Sequence, residues 1–232
     1  MPYAHVQSTS AQRTGVSSTT LAYGSNLTAG NLAVVSLTYW AVSISSISWS
    51  VGGSASPSLA VNNEGGSEVR SAIYYAANTS SGAHTISVNL SGTNDITLMV
   101  HEYSGIVTSS PLDKTEVGNG TGTSITTATT TTLAQADNLV HSAVGHSTGS
   151  NITLSAGAGF TRRQHQPDNA GALAGASEDQ RVTATTGVAG TWTAGSSVSN
   201  WRAVVAVFKE DGGGGGSPTA TAGRLSLLGV GV

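Results

Sequence analysis

His84-Thr85-Ile86-Ser87-Val88-Asn89-Leu90 alternates apolar and polar residues along its last six positions. A β-strand sends successive side chains to opposite faces, so Ile86, Val88 and Leu90 line one buried face while Thr85, Ser87 and Asn89 meet water. Residues 96–103 (ITLMVHEY) read as another strand, with the turn cluster Ser91-Gly92-Thr93-Asn94 between the two. Further β-branched or aromatic runs lie at 31–40 (NLAVVSLTYW), 71–76, 139–144, 180–184 and 201–209 (WRAVVAVFK). No stretch combines a 3.6-residue apolar period with caps. The one weak helical candidate, 170–178, carries Gly171 and Gly175, which disfavour a helix. The chain is predicted to be all-β.

Working outward, the pattern repeats. Thr19-Thr20-Leu21-Ala22 followed by Asn31-Leu32-Ala33-Val34 recurs as Thr131-Thr132-Leu133-Ala134 followed by Asn138-Leu139-Val140. The Asn78 to Tyr103 region has its counterpart in the Thr183 to Lys209 region, at an offset of about 105–112 residues. Each half on its own would expose an apolar face. The expectation is therefore one body over 1–210, with related halves at 1–107 and 108–210. Four strands per half give the eight of a jelly-roll-like antiparallel β-sandwich. Residues 211–223, with Gly212 to Gly216 at their start, read as a linker. An apolar tail follows at 224–232, in which Arg224, Leu225, Leu227, Leu228, Val230 and Val232 are the candidate assembly residues, docking either on a neighbour or on the chain's own body.

Composition narrows the function classes. Only 9% of residues are charged, against about 25% in an ordinary domain, so Ser, Thr, Asn and Gly must supply the polar surface. A net charge of −3 with nine scattered Lys and Arg lacks the basic stripe that phosphate backbones require. Nucleic acid is not an expected partner. With no cysteine, disulfides, thiolate metal sites and cysteine nucleophiles are excluded. No apolar window reaches the length of a transmembrane helix, and the Met1-Pro2-Tyr3-Ala4-His5 start lacks the cationic and apolar regions of a secretory signal.

Three motifs invite a chemical reading, and each fails on context. Gly145-His146-Ser147-Thr148-Gly149 fits the G-x-S-x-G nucleophile elbow, which places a serine between a strand and a helix. Strand-like residues follow here, and no acid lies between Ser147 and the last histidine, His165. His101-Glu102 begins like a zincin helix motif, but Gly105 stands where the second histidine belongs. Alternation puts His101 with Tyr103 on the polar face, predicting a surface or rim histidine. Glu64 and Glu68 beside Asn62 and Asn63 offer oxygens but no EF-hand spacing; Asp168-Asn169 and Glu178-Asp179 read as loop charge in the same way. No catalytic residue, metal ligand or cofactor site is predicted. Of the four tryptophans, Trp40 and Trp201 fit a core. Trp49 and Trp192, set among Ser, Thr and Gly, are the candidates for exposed glycan-stacking faces.

Along 31–40, 71–103 and the phrase His101-Glu102-Tyr103-Ser104-Gly105 with Ser110-Pro111-Leu112-Asp113, the chain resembles Thr/Ser/Gly-rich β-sandwich domains of phage virion proteins and bacterial surface proteins. That resemblance implies a structural or adhesive role and supplies no catalytic residues. It points to a non-enzymatic subunit, such as a phage head-decoration, fibre or tail component or an extracellular filament subunit. Its partners would be copies of itself or a capsid, tail or filament protein, and its location a virion or an extracellular surface. The alternative expectation is a carbohydrate-binding module or receptor-binding adhesin.

Overall fold

The computed structural model describes residues 2–51, 56–65, 68–148, 151–168 and 173–212, and among these there is no helix. The first half contributes β1 (Ala4–Ala22), β2 (Leu32–Trp40), β3 (Ile44–Val51), β4 (Ser58–Asn63), β5 (Val69–Ala76) and β6 (Thr85–Ser104). The second contributes β7 (Leu112–Thr126), β8 (Asn138–His146), β9 (Leu154–Ala156), β10 (Thr161–Gln166), β11 (Ala174–Val182) and β12 (Thr191–Lys209). Each half forms its own antiparallel six-stranded sheet. The first runs β1-β6-β2-β5-β4 with β3 on β6, and the second β7-β12-β8-β11-β10 with β9 on β12. Adding six to every strand number turns the first order into the second. The two similar halves are therefore a property of the topology, and among the described residues the expected eight strands are twelve.

The sheets stack so that β1 lies on β10, β4 on β7, β5 on β8 and β12, and β11 on β2 and β6, with β2 against β8. Exchanging the halves carries β1·β10 into β7·β4, and β5·β12 into β11·β6, while β2·β8 maps onto itself. An approximate two-fold axis therefore passes between β2 and β8. These two strands are buried along nearly their whole length on both faces. That explains why NLAVVSLTYW is a continuous apolar run and not an alternating one.

The second apolar surface of each sheet is closed by its own long strands. The early part of β6 (Ile86, Val88) leaves the main sheet with β3. There it covers Val35, Leu37 and Tyr39, assisted by Ile44, Ile47 and Trp49. In the second half, Ile125, Leu154, Trp192 and Trp201 cover Val144, Ala176 and Ala203 in the same way. A third apolar layer, with Leu32, Val34, Ile73, Leu139, Val204 and Phe208, lies between the sheets. The predicted turn at Ser91-Gly92-Thr93-Asn94 does not end the strand. β6 runs through it while its second partner changes from β3 to β2 and its register with β1 shifts between Arg13 and Ser18.

The Thr131-Thr132-Leu133-Ala134 match is not a structural equivalence. Leu21 is in β1 opposite Ile86, whereas Leu133 lies in the connection before β8. The counterpart of Leu133 is Leu27. Both side chains are buried, and their N–H groups donate to Thr185 and Gly82 carbonyls respectively, each at 2.8 Å. The helical candidate at 170–178 is strand from Ala174 onward. The linker and tail beyond Gly212, with the candidate assembly residues, lie outside the described residues.

Candidate functional site

The remaining inner face is polar. Toward the β1, β6 and β2 side of the first sheet and the β10, β11 and β8 side of the second, the apolar middle layer gives way to a seam of hydroxyls, imidazoles and one ion pair. Its position follows from strand parity. Ser36 and Thr38 sit on the β2 face that carries Leu32 and Val34, and His101 and Tyr103 share a face of β6. His141 sits on β8 between Leu139 and Ala143, and Asp179 on β11 beside Ser177.

These residues form one directed chain. Ser36 Oγ lies 2.7 Å from His141 Nε2, His141 Nδ1 lies 3.0 Å from the Tyr103 hydroxyl, and that hydroxyl donates to Asp179 Oδ2 at 2.8 Å. Because the phenol proton goes to the carboxylate, its oxygen accepts from His141 Nδ1–H, which leaves Nε2 to accept from Ser36. Arg163 closes the chain bidentately, donating from Nε to Oδ2 at 2.7 Å and from Nη2 to Oδ1 at 2.9 Å. Tyr3 stacks edge-on against Tyr103 and reaches Asp179 Oδ1 at 3.4 Å. His101 lies edge-on to His141, with ring centroids 4.8 Å apart, and His5 packs 6.2 Å from His101. Among the described residues, neither ring nitrogen of His101 has a hydrogen-bond partner.

Burial sets the protonation states. It pushes His141 down to about 4 against the pull of Asp179, and holds His101 well below the usual histidine range, helped by His141, His5 and Arg163. The Tyr103 hydroxyl is raised well above its usual range by burial and by Asp179. The seam histidines are therefore neutral at physiological pH.

A serine hydrogen-bonded to a histidine that is oriented through a second group onto an aspartate has the donor order of a hydrolytic triad. A nucleophile must also meet substrate, and Ser36, His141 and Tyr103 are each 0% exposed. Here the chain of donors joins two sheets. Polar ladders extend the joint: Ser10 Oγ to Gln164 at 2.7 Å, Gln164 to Ser8 at 2.7 Å and Gln12 to the Leu173 carbonyl at 2.7 Å, and, at the opposite edge, Asn63 to the Gly118 carbonyl at 2.8 Å.

The residues singled out in the sequence fall elsewhere or take other roles. His101 is not a rim histidine: the face it shares with Tyr103 is the inner one, and it is fully buried. Glu102 points the opposite way. It accepts from the Thr28 N–H at 2.7 Å, Asn31 Nδ2 at 2.7 Å and Gln7 Nε2 at 2.6 Å, so the pair never shares a metal. Ser147 lies in the connection after β8, where Thr148 N–H donates to His146 Nδ1. Gly145 of that motif is explained by packing. A Cβ there would meet Thr38 Cγ2 of the opposite sheet at 2.1 Å. Glu64 accepts from the Tyr39 hydroxyl at 2.8 Å and Glu68 from Asn200. Asp168 and Glu178 are buried, contrary to the reading as loop charge. Among the described residues no group of three or more His, Asp or Glu is placed to hold a metal ion.

The expectation that Trp192 stands exposed is corrected. It is 2% exposed, and its indole N–H donates to Ser142 Oγ at 3.1 Å, because the start of β12 folds over the second sheet. Trp49 is half-buried, tilted against Tyr23 and edge-on to His84. Among the described residues no helix is long and apolar enough to cross a membrane. No family model matches the chain, and neither the curated proteins nor the solved structures include a match.

Proposed function

We propose that this chain is a non-enzymatic structural subunit that assembles on or into a large particle, a phage decoration, fibre or tail component or an extracellular filament, anchored partly by residues 224–232. The observation that carries the reading is the use made of its reactive side chains. The arrangement with triad-like donor order is sealed between two sheets, where it works as an adhesive. A weakly charged Thr/Ser/Gly exterior offers little repulsion between neighbours. Val6 and Leu59, exposed on edge strands β1 and β4, supply apolar contacts beside unpaired strand edges, the kind of surface on which chains pair. Removing residues 213–232 should leave melting temperature unchanged while abolishing association in sedimentation velocity. Equal association by both chains would overturn the anchoring role of the tail.

A glycan-binding adhesin is the second reading, and Trp49 is the aromatic face that favours it. Trp49→Ala should abolish retention on a glycan array if this reading holds. An array without hits for the parent chain removes it.

A further inference from the structure

The seam places three imidazoles from three strands, His5 of β1, His101 of β6 and His141 of β8, in one stack that crosses from one half of the body to the other. We propose that this stack is an acid-operated joint, whose protonation parts the two sheets while the outer layer of each half stays closed.

The groups facing the stack decide what a proton would meet there. From β1 comes Tyr3, from β6 Tyr103, from β2 the Ser36 hydroxyl, from β10 Arg163 and from β11 Asp179. Glu210, after β12, acts on the cluster only at a distance, through Tyr3. Asp179 is the one carboxylate within the chain of contacts, and it is already committed to two guanidinium bonds and two phenols. An imidazolium at His101 would therefore face a fixed cation, Arg163, and two more imidazoles, with no unpaired carboxylate and no acceptor on either ring nitrogen among the described residues. A charge in that position is relieved only by letting in water, and water enters by separating the sheets.

The direction is set by linkage. These histidines are held below their unfolded value, so from about pH 6.5 down to their closed-state values, about 4 for His141, the opened state binds more protons than the closed one. The joint is intact above about pH 6.5 and weakens as pH falls. His146 and His165 are also held low by burial, and His165 adds to the shift at His146, which lies on the outward side of β8, away from the stack. They load the second half's outer layer and leave the joint itself unaffected.

The full chain, which has no native cysteine, takes spin labels at Ala4→Cys and Thr161→Cys, exposed positions on edge strands β1 and β10, which meet across the seam from opposite sheets. Their separation reads the joint, while Trp49, Trp192 and Trp201 in the outer layers report by fluorescence. On acidification the label separation should lengthen at a higher pH than the tryptophan signal changes. His101→Phe removes no hydrogen bond and should lower the opening midpoint by about half a pH unit or more; His5→Phe should lower it less, and His146→Phe not at all. Label separation unchanged down to about pH 4, opening coincident with the tryptophan transition, or midpoints unmoved by both His101→Phe and His5→Phe would each overturn the proposal.

Discussion

Gly145→Ala tests the sheet-to-sheet contact with the smallest possible perturbation. A Cβ at this position would lie 2.1 Å from Thr38 Cγ2, 2.6 Å from its Oγ1 and 2.9 Å from its Cβ. Neither strand is free to retreat. Gly145 is paired to Gly175 of β11 and Arg202 of β12, and Thr38 to Ser71 of β5 and Thr97 of β6. Thr38 is β-branched and stiff at χ1, so the added methyl must push the sheets apart locally. Overpacking of this kind costs about 1–3 kcal/mol, and three contacts below 3 Å put this case at the upper end. The alanine returns about 0.4–1 kcal/mol by restricting the unfolded chain. The net loss is about 2 kcal/mol, or about 4–8 °C in Tm for a body of this size. Urea melts followed by circular dichroism measure it. Thr38→Ala removes the two closest atoms and loses no hydrogen bond, because Thr38 Oγ1 has no partner among the described residues. The double variant should therefore recover at least about 1 kcal/mol of coupling. A Gly145→Ala chain within about 0.5 kcal/mol of the parent, or strict additivity with Thr38→Ala, would refute the close approach.

Asp179→Asn strips the carboxylate that Arg163, Tyr103 and Tyr3 share and strands a guanidinium whose side chain is only 26% exposed. A loss of about 3 kcal/mol in the same melts is expected, and one below about 1 kcal/mol would contradict its role as the hub of the seam. Glu178 is buried and accepts from the Gly157 N–H, and desolvation pushes it up to about 9 against the hydrogen bonds it receives. Its folded value exceeds its unfolded one, so its contribution is present below about pH 4.5 and declines as pH rises toward 9, opposite in sign to the histidines. Glu178→Gln should accordingly match the parent near pH 4.5 and exceed it at pH 7 by on the order of 3 kcal/mol; a gap independent of pH would contradict this.

The strands that carried the sandwich into view are those whose side chains have unequal faces. Ile86, Val88 and Leu90 announce a half-buried strand, and the apolar runs of β2 and β8 announce strands buried on both sides. β1, β7 and β10 are edge strands rich in Ser, Thr, Gly, Gln and Arg. With one neighbour and little buried surface, their pairing comes from backbone hydrogen bonds that leave no apolar period. The continuation of β6 through Ser91-Gly92-Thr93-Asn94 was hidden for a related reason, since turn-forming residues also suit a strand exchanging one partner for another.

The seam was illegible as spacing, because Ser36, His141 and Asp179 come from three strands in two different halves. A signal for it does exist. Ser36 and His141 lie in strands buried on both faces, and a polar group there must find a buried partner. Reading His101 by alternation chose the correct companions, Tyr103 among them, and the wrong side. Alternation separates two faces without telling which is wet when a second sheet covers both. Gly145 likewise carried a motif's first letter for a packing reason, and only the opposite sheet reveals it.

Electron micrographs of the material recovered from its native source test the central proposal most directly. The expected result is this body repeated on a regular filament, capsid or tail lattice, with contacts that disappear when residues 213–232 are removed. Isolated single molecules throughout, with and without those residues, would contradict it.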